Sequence, residues 1–182
     1  MWIRQALQTD AAVLGELHAA SWRLAYRGAL SDEFLDTDVV SNRREFWEAR
    51  LAQPEPSQQV FLSGNEAGAT GFCCVFGDHA PALGAFLNNL HVMASAQRQG
   101  YGRALLHAAA TSSLASAPDR GMFLFVLQGN LAAQAFYTRF GARMAGTEQW
   151  DAPGGGRIPL FKMHWPSLRA LADATTGFAA PE

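Results

Sequence analysis

The sequence predicts a single-domain α/β protein in which helices and strands interleave around one mixed sheet. Three observations carry that prediction. The 182 residues, 49% of them hydrophobic, suit one domain with a sizeable core. Segments of helical and of strand periodicity alternate along the chain. Two pairs of strand-like segments, at 60–76 and 143–164, are joined by turns containing glycine and read as hairpins.

Met1 to Ala6 reads as a first strand. Thr9 or Asp10 then offers an N-cap for a helix running to about Ala25. Leu14, His18 and Trp22 recur every four residues and so share one face of that helix. Tyr26-Arg27-Gly28 ends it. Ser31–Leu35 suits a short second helix, and Ser41–Leu51 a third, capped by Ser41 or Asn42; Gln53–Ser57 is a break. Val60-Phe61-Leu62 and Thr70 to Phe76 flank the turn Gly64–Gly68, and a loop at Gly77–Gly84 leads to a strand over Ala85–Met93. A helix is expected from Gly102 to about Ser116. Met122–Leu127 is an uninterrupted apolar run, as in a strand covered on both faces. Asn130 to Phe140 is helical, with Ala132, Ala133, Phe136 and Phe140 as its apolar stripe. Arg143–Trp150 and Ile158–His164 form the final hairpin around Ala152–Gly156. Residues 166–182 read as an Ala-rich, weakly patterned tail, partly disordered by expectation.

A formal charge of −2 gives no basic excess for nucleic acid. No apolar run approaches the length of a membrane span, and the N-terminus reads as an amphipathic strand instead of a signal peptide. The only cysteines, Cys73 and Cys74, are adjacent in a strand, so their side chains point to opposite faces. They cannot form an ordinary stapling disulfide or a metal site, which favours a reducing, cytoplasmic setting. A monomer or homodimer is expected, with the edge of the final hairpin as the first surface to examine.

The most informative stretch runs from Val92 to Ala104: a strand end, a short polar loop, and two glycines opening an Ala/Leu-rich helix. Such a helix start gathers unpaired backbone N–H groups where the macrodipole favours negative charge. Glycine lets the backbone approach a bulky anion. The stretch therefore reads as a phosphate or pyrophosphate cradle. A dinucleotide fingerprint would need a third glycine where Leu105 stands, and a Walker loop would need Gly-Lys-Ser/Thr, which is absent.

The spacing Q-x-x-G-x-G from Gln97 to Gly102, with Arg103 directly after it, resembles the acyl-coenzyme A signature of the GNAT N-acetyltransferase family. Asn130–Ala142 is similar to that family's N-x-x-A-x-x-F-Y-x-x-x-G-F segment and departs only at Ala142, where the family has an aromatic residue. Ala20–Gly28 looks like the opening helix of one bacterial subgroup. The order of elements over residues 1–165 is similar as well. The resemblance implies a GNAT-like domain over that span, with a central, mostly antiparallel sheet of about seven strands flanked by helices. It also implies an acetyl-CoA-dependent N-acyltransferase in which a small-molecule or peptide amine attacks the thioester directly, with no metal and no covalent acyl-enzyme.

On that resemblance, Gln97, Arg98, Gln99, Gly100, Tyr101, Gly102 and Arg103 wrap the pyrophosphate, and Asn130 both caps its helix and bonds the cofactor or strand end. The amide of Val92 or Met93 would polarise the thioester carbonyl from a splayed strand. Tyr137 is the expected acid for the departing thiolate, since a phenol keeps its proton at neutral pH. Phe136 and Tyr137 lie about 100° apart on the helix, so Phe136 can fill the core while Tyr137 faces the cofactor. The base is less defined. Family members often carry a glutamate in the strand leading to the cradle, whereas Phe86–His91 holds no carboxylate. His91, on one face with Asn89, is the expected base; Asp78, His79, Glu33, Glu148 or a water chain are the alternatives. Trp22, Tyr26 and Asn88 are candidates for the acceptor wall. The missing carboxylate leaves a second reading open, a non-catalytic acyl-CoA-binding module of the same fold, and a third in which the glycines are a fortuitous helix start.

Overall fold

The protein was analysed as a computed structural model that describes residues 1–80, 82–153 and 156–177. A seven-stranded sheet runs β1(Trp2–Gln5), β2(Gln58–Asn65), β3(Gly68–Ala80), β4(Gly84–Val92), β5(Met122–Leu127), β6(Arg143–Asp151) and β7(Arg157–Trp165), in the spatial order β1-β2-β3-β4-β5-β7-β6. Every pairing is antiparallel except β4 with β5. The helices are α1(Ala11–Ala25), α2(Val39–Ala52), α3(Tyr101–Leu114), α4(Leu131–Arg139) and α5(Leu168–Thr175). The predicted mixed, mostly antiparallel sheet flanked by helices is the observed one.

One face of the sheet packs on α3 and α5. Cys73, Val75 and Leu87 there meet Leu105, Leu106, Leu168 and Leu171, all buried. The other face packs on α1 and α2, where Phe72 and Cys74 meet Leu14 and Trp47. The two cysteines divide between these cores, as strand alternation requires. β5 is apolar on both faces: Met122, Leu124 and Val126 join the α3 side, while Phe123 stacks on Phe86 at 4.9 Å.

Three local expectations are corrected. Asp10 does not cap α1 through its side chain; its carboxylate accepts from the Leu7 N–H and from Arg4, tying β1 to the helix start. The short helix near Ser31 and the helix from Ser41 are joined, because a wide π turn over Phe34–Asp38 closes with the Val39 N–H on the Phe34 carbonyl and carries the chain directly into α2. The stretch Leu168–Thr175 is no loose tail. Ser167 caps α5, whose Leu168, Leu171, Ala172 and Thr175 fall at helical spacing and are buried. The fold thus continues at least to Thr175. In the final hairpin turn, Gly154 and Gly155 lie outside the described residues.

β4 and β5 pair only at Ala85↔Met122 and Phe86↔Phe123. Gly84 closes this end: at φ +87°, a Cβ there would stand 2.1 Å from the Gly121 carbonyl oxygen, and the Ala85 N–H donates to that same oxygen at 3.0 Å. Beyond Phe86 the strands part. In the β3–β4 ladder Cys74 faces Asn89 but Val75 faces Leu87, so Asn88 is an extra residue, a β-bulge that bends β4 away.

If α5 is part of the core, Leu171→Ala removes a fully buried side chain and costs about 2–5 kcal/mol of unfolding free energy. Urea denaturation measures it, and a value near wild type would mean that α5 docks only loosely.

Candidate active site

The fork between β4 and β5 opens a cavity of about 1120 Å³ bounded by the C-terminal end of α1, the start of α3 and α4. A smaller cavity of about 730 Å³ adjoins it at Ser21, Val92 and Asn130. Both are made by the parting of the strands, and their polar features follow from the ladder. The Met93 N–H donates to the Thr70 carbonyl at 2.8 Å. Antiparallel ladders alternate, so the amides of Val92 and Leu90 turn away from β3 and into the gap. The Val92 carbonyl points the same way and accepts from Gln97 Nε2 at 3.2 Å. Of the two amides expected to polarise a carbonyl, Val92 is therefore available and Met93 is engaged. The Leu90 amide, which the sequence did not single out, joins Val92.

Past Val92 the chain makes a tight turn over Ala94–Ala96 and enters α3 through two left-handed residues, Arg98 at φ 61° and Gly100 at φ 92°. Among the described residues, none of the N–H groups from Arg98 to Arg103 has an acceptor within the protein. Gln97 and Gln99 brace this loop, Gln99 Nε2 donating to the Ser95 carbonyl at 2.8 Å. Gly102 lies against Phe136, whose Cζ would be 3.3 Å from a Cβ there. Tyr101 is buried and packs. Arg103 does not point freely at the cradle. Its Nε donates to the Thr175 carbonyl at 3.1 Å and its Nη2 to that of Thr176, so it neutralises the negative end of α5.

Asn130 caps α4, its Oδ1 accepting from the Ala133 N–H at 3.0 Å, and Gln134 braces the end of β5. The expected division of Phe136 and Tyr137 is not kept. Tyr137 is the more buried of the two, in the α3-side core against Trp165, while its surface also borders the cavity; Phe136 sits beside Gly102. Burial, with smaller effects of Tyr26 and Cys73, pushes the Tyr137 hydroxyl well above its ordinary pKa.

On the α1–α2 side, His91 bonds Ser21 Oγ through Nδ1 at 2.7 Å and packs against the rings of His18 and Phe72, which also touch each other. Desolvation, aided by the positive Arg43, lowers its pKa to about 4. It is neutral near pH 7 and weakly basic, which argues against its abstracting a proton from an ammonium unaided. His18 accepts from Trp47 Nε1 at 3.1 Å, leaving a buried Nε2 without a partner among the described residues. Asn89 Oδ1 is likewise buried and unpartnered, and Asn88 Oδ1 accepts from Arg50 at 2.7 Å. Trp22 is buried, stacked on Tyr26 at 5.0 Å, and both rings meet Trp150 edge-on. Tyr26 and Asn88 reach the cavity; Trp22 stands behind them. Arg43, Arg50 and Ser21 were missed by sequence reasoning. Arg43 and Arg50 lie seven residues apart on α2, a spacing that also suits an ordinary solvated face.

A sequence profile described as the acetyltransferase (GNAT) family matches residues 19–142. The chain belongs to that family. It is 24% identical over 172 residues to YuaI, an uncharacterized N-acetyltransferase of Bacillus subtilis strain 168, covering 93% of this chain and 95% of that one. Its fold is shared with the PaiA N-acetyltransferase of Thermoplasma acidophilum in complex with coenzyme A (TM-score 0.71, 18% identity, 91% and 98% of the two chains). It is shared also with YncA, a putative acetyltransferase of Salmonella typhimurium with its cofactor acetyl-CoA (TM-score 0.64, 20% identity, 100% and 98%). By family, then, the protein is an N-acetyltransferase, and no described helix is long and apolar enough to cross a membrane.

The low proton affinity of His91 gives a pH signature. An unfolded imidazole titrates near 6.5 and this one at about 4, so between those values the unfolded chain takes up a proton that the folded one refuses. The resulting stability is complete above about pH 6.5 and drains away as pH falls toward 4. His18 acts in the same direction. Melting temperatures from pH 7 to 4.5 should fall less steeply for His91→Gln than for wild type; parallel curves would refute the shift.

Proposed function

We propose that the protein transfers an acetyl group from acetyl-CoA to an amine by direct attack within the β4–β5 fork. The observation that carries this reading is the run of N–H groups from Arg98 to Arg103 that have no acceptor among the described residues, continuous with the gap into which the Leu90 and Val92 amides point. A pyrophosphate fits the first and an extended amide-bearing arm the second. A Cβ at Gly102 would press on Phe136, so glycine there lets the start of α3 lie close against α4. Two of the similar structures hold coenzyme A or acetyl-CoA, which supports the same cofactor here.

Acetyl-CoA supplies an acetyl thioester. The chain's own groups do the rest. The loop amides from Arg98 to Arg103 neutralise phosphate charge, with Gln97 and Gln99 holding the loop in shape. The amides of Val92 and Leu90 stabilise negative charge growing on the thioester oxygen, being fixed before the reaction begins. Asn130 holds α4 so that Tyr137 borders the fork. Its raised pKa suits a hydrogen bond donated to the departing sulfur better than complete proton transfer. With His91 weakly basic, the acceptor's proton leaves through water, while His91 and Asn89 orient the amine as hydrogen-bond acceptors. Both cysteines are buried with thiols held protonated, Cys74 pushed up to about 12, which fits a route without an acyl-enzyme.

Tyr137→Phe should lower kcat about tenfold or more while acetyl-CoA affinity by calorimetry stays within about twofold, since a hydrogen bond to a charged leaving group is worth about 1.5–3 kcal/mol. Gly100→Glu should abolish binding outright. Unchanged turnover in the first variant removes Tyr137 from the chemistry; unchanged binding in the second removes the cradle.

A further inference from the structure

Behind the α1–α2 side of the cleft lie two guanidinium groups that have no carboxylate partner among the described residues. Arg43 is buried, with its Cζ 4.3 Å from the Trp22 ring centroid and 4.6 Å from that of Phe46. Its only hydrogen-bond acceptor among the described residues is the neutral Asn42 Oδ1. Arg50 lies over Phe46 at 4.4 Å and donates through Nη1 to Asn88 Oδ1, an amide that lines the cavity. Neither has a carboxylate within 4.0 Å among the described residues, whereas Arg4, Arg27 and Arg44 all do. Burying a cation without an anion is costly, and ring faces offset only part of that cost. The positive potential is felt across the wall: Arg43 contributes to the lowered proton affinities of His18 and His91.

Next to Asn88 stands the opposite need. Asn89 Oδ1 is buried and lacks a donor among the described residues. With the β-bulge in the ladder here, the neighbouring Asn88 and Asn89 both line the cavity where the strands part. A guanidinium that would hold an anion, bonded to the cavity-lining Asn88, and the amide oxygen of Asn89 that would accept an N–H therefore meet at consecutive residues of the fork, the two kinds of partner that the two ends of an α-amino acid require. We propose, resting on the acetyltransferase reading above, that the acceptor is a small amino acid whose carboxylate pairs with Arg50, in the field of Arg43, while its amino group donates to Asn89. A cationic polyamine would meet repulsion at the same wall.

The test follows thiol release with acetyl-CoA against matched acceptors: α-amino acids, their amides, and the amines left when the carboxylate is removed. At least one amino acid should show kcat/KM tenfold or more above its amide and its amine. Arg50→Gln should cut that value at least tenfold, chiefly through KM, and leave amide and amine within twofold; Arg50→Lys should restore part of it. Calorimetry with acetyl-CoA on wild type and variants accompanies the assay. If acetyl-CoA binds equally to all of them and carboxylate-free amines react as well as the acids, or no amino acid reacts, the acceptor assignment is overturned and the cofactor reading stands. If acetyl-CoA does not bind the wild type, both fall. A loss of acetyl-CoA affinity in Arg50→Gln would assign this arginine to the fold or the cofactor and equally overturn the proposal.

Discussion

The separation of β4 from β5 after Phe86 and Phe123 is the constraint on which the rest of the site depends. A parallel pair that stayed zipped would spend the Leu90 and Val92 amides on ladder hydrogen bonds and leave no space between the strands. The closed end is held by the tight approach of Gly84 to Gly121 and by the stack of Phe86 on Phe123. The open end is bent outward by the extra residue at Asn88. Backbone polar groups released in this way cannot stay dry and unpaired without cost. They persist because the fork is a cavity, open to water or a ligand.

The two sides of the fork then take on different work. The α3–α4 side is built from backbone: a left-handed Gly100, a row of amides, and side-chain amides of Gln97 and Gln99 that stiffen the loop without carrying charge. Even Arg103 is turned to the end of α5. The α1–α2 side is built from side chains, with aromatic rings against a buried Arg43 and a half-buried Arg50, and polar atoms of Asn89 and His18 unpaired among the described residues. A shared cofactor suits the first construction, since backbone amides recognise phosphate whatever the side chains do. A particular acceptor suits the second, where selectivity comes from placed charge and unpaired polar groups.

Legibility in the sequence followed the same division. The cradle could be read because glycine reports a backbone need at its own position, and Gly100 does adopt the left-handed conformation. Individual strands could be read from runs such as Met122–Leu127, whose burial on both faces leaves a continuous apolar signature. The bulge could not be read, because an extra asparagine in a strand looks like one more alternation; it moved Asn88 onto the side where Arg50 meets it. α5 carried a readable signal at Leu168, Leu171, Ala172 and Thr175, hidden by alanine on every face. Arg43 and Arg50 were silent, since the destination of a long charged side chain is set by tertiary packing and not by its helix.

The weak basicity of His91 bears on how such a site can work without a strand carboxylate. A base raises the neutral fraction of an ammonium only if its own proton affinity is adequate, and an imidazole at about 4 has too little near neutrality. The wall offers a different route. Desolvation beside Tyr26 and Phe125 would disfavour the ammonium form of an amine bound there, just as burial disfavours the protonated forms of His18 and His91. Positive arginines add to that penalty until a carboxylate answers them. Lowering the acceptor's pKa and raising the base's are equivalent in the free energy of proton removal. The same low-dielectric, cationic surroundings that make His91 a poor base would therefore make an amine bound beside it easier to deprotonate, with water as the carrier of the proposed reaction.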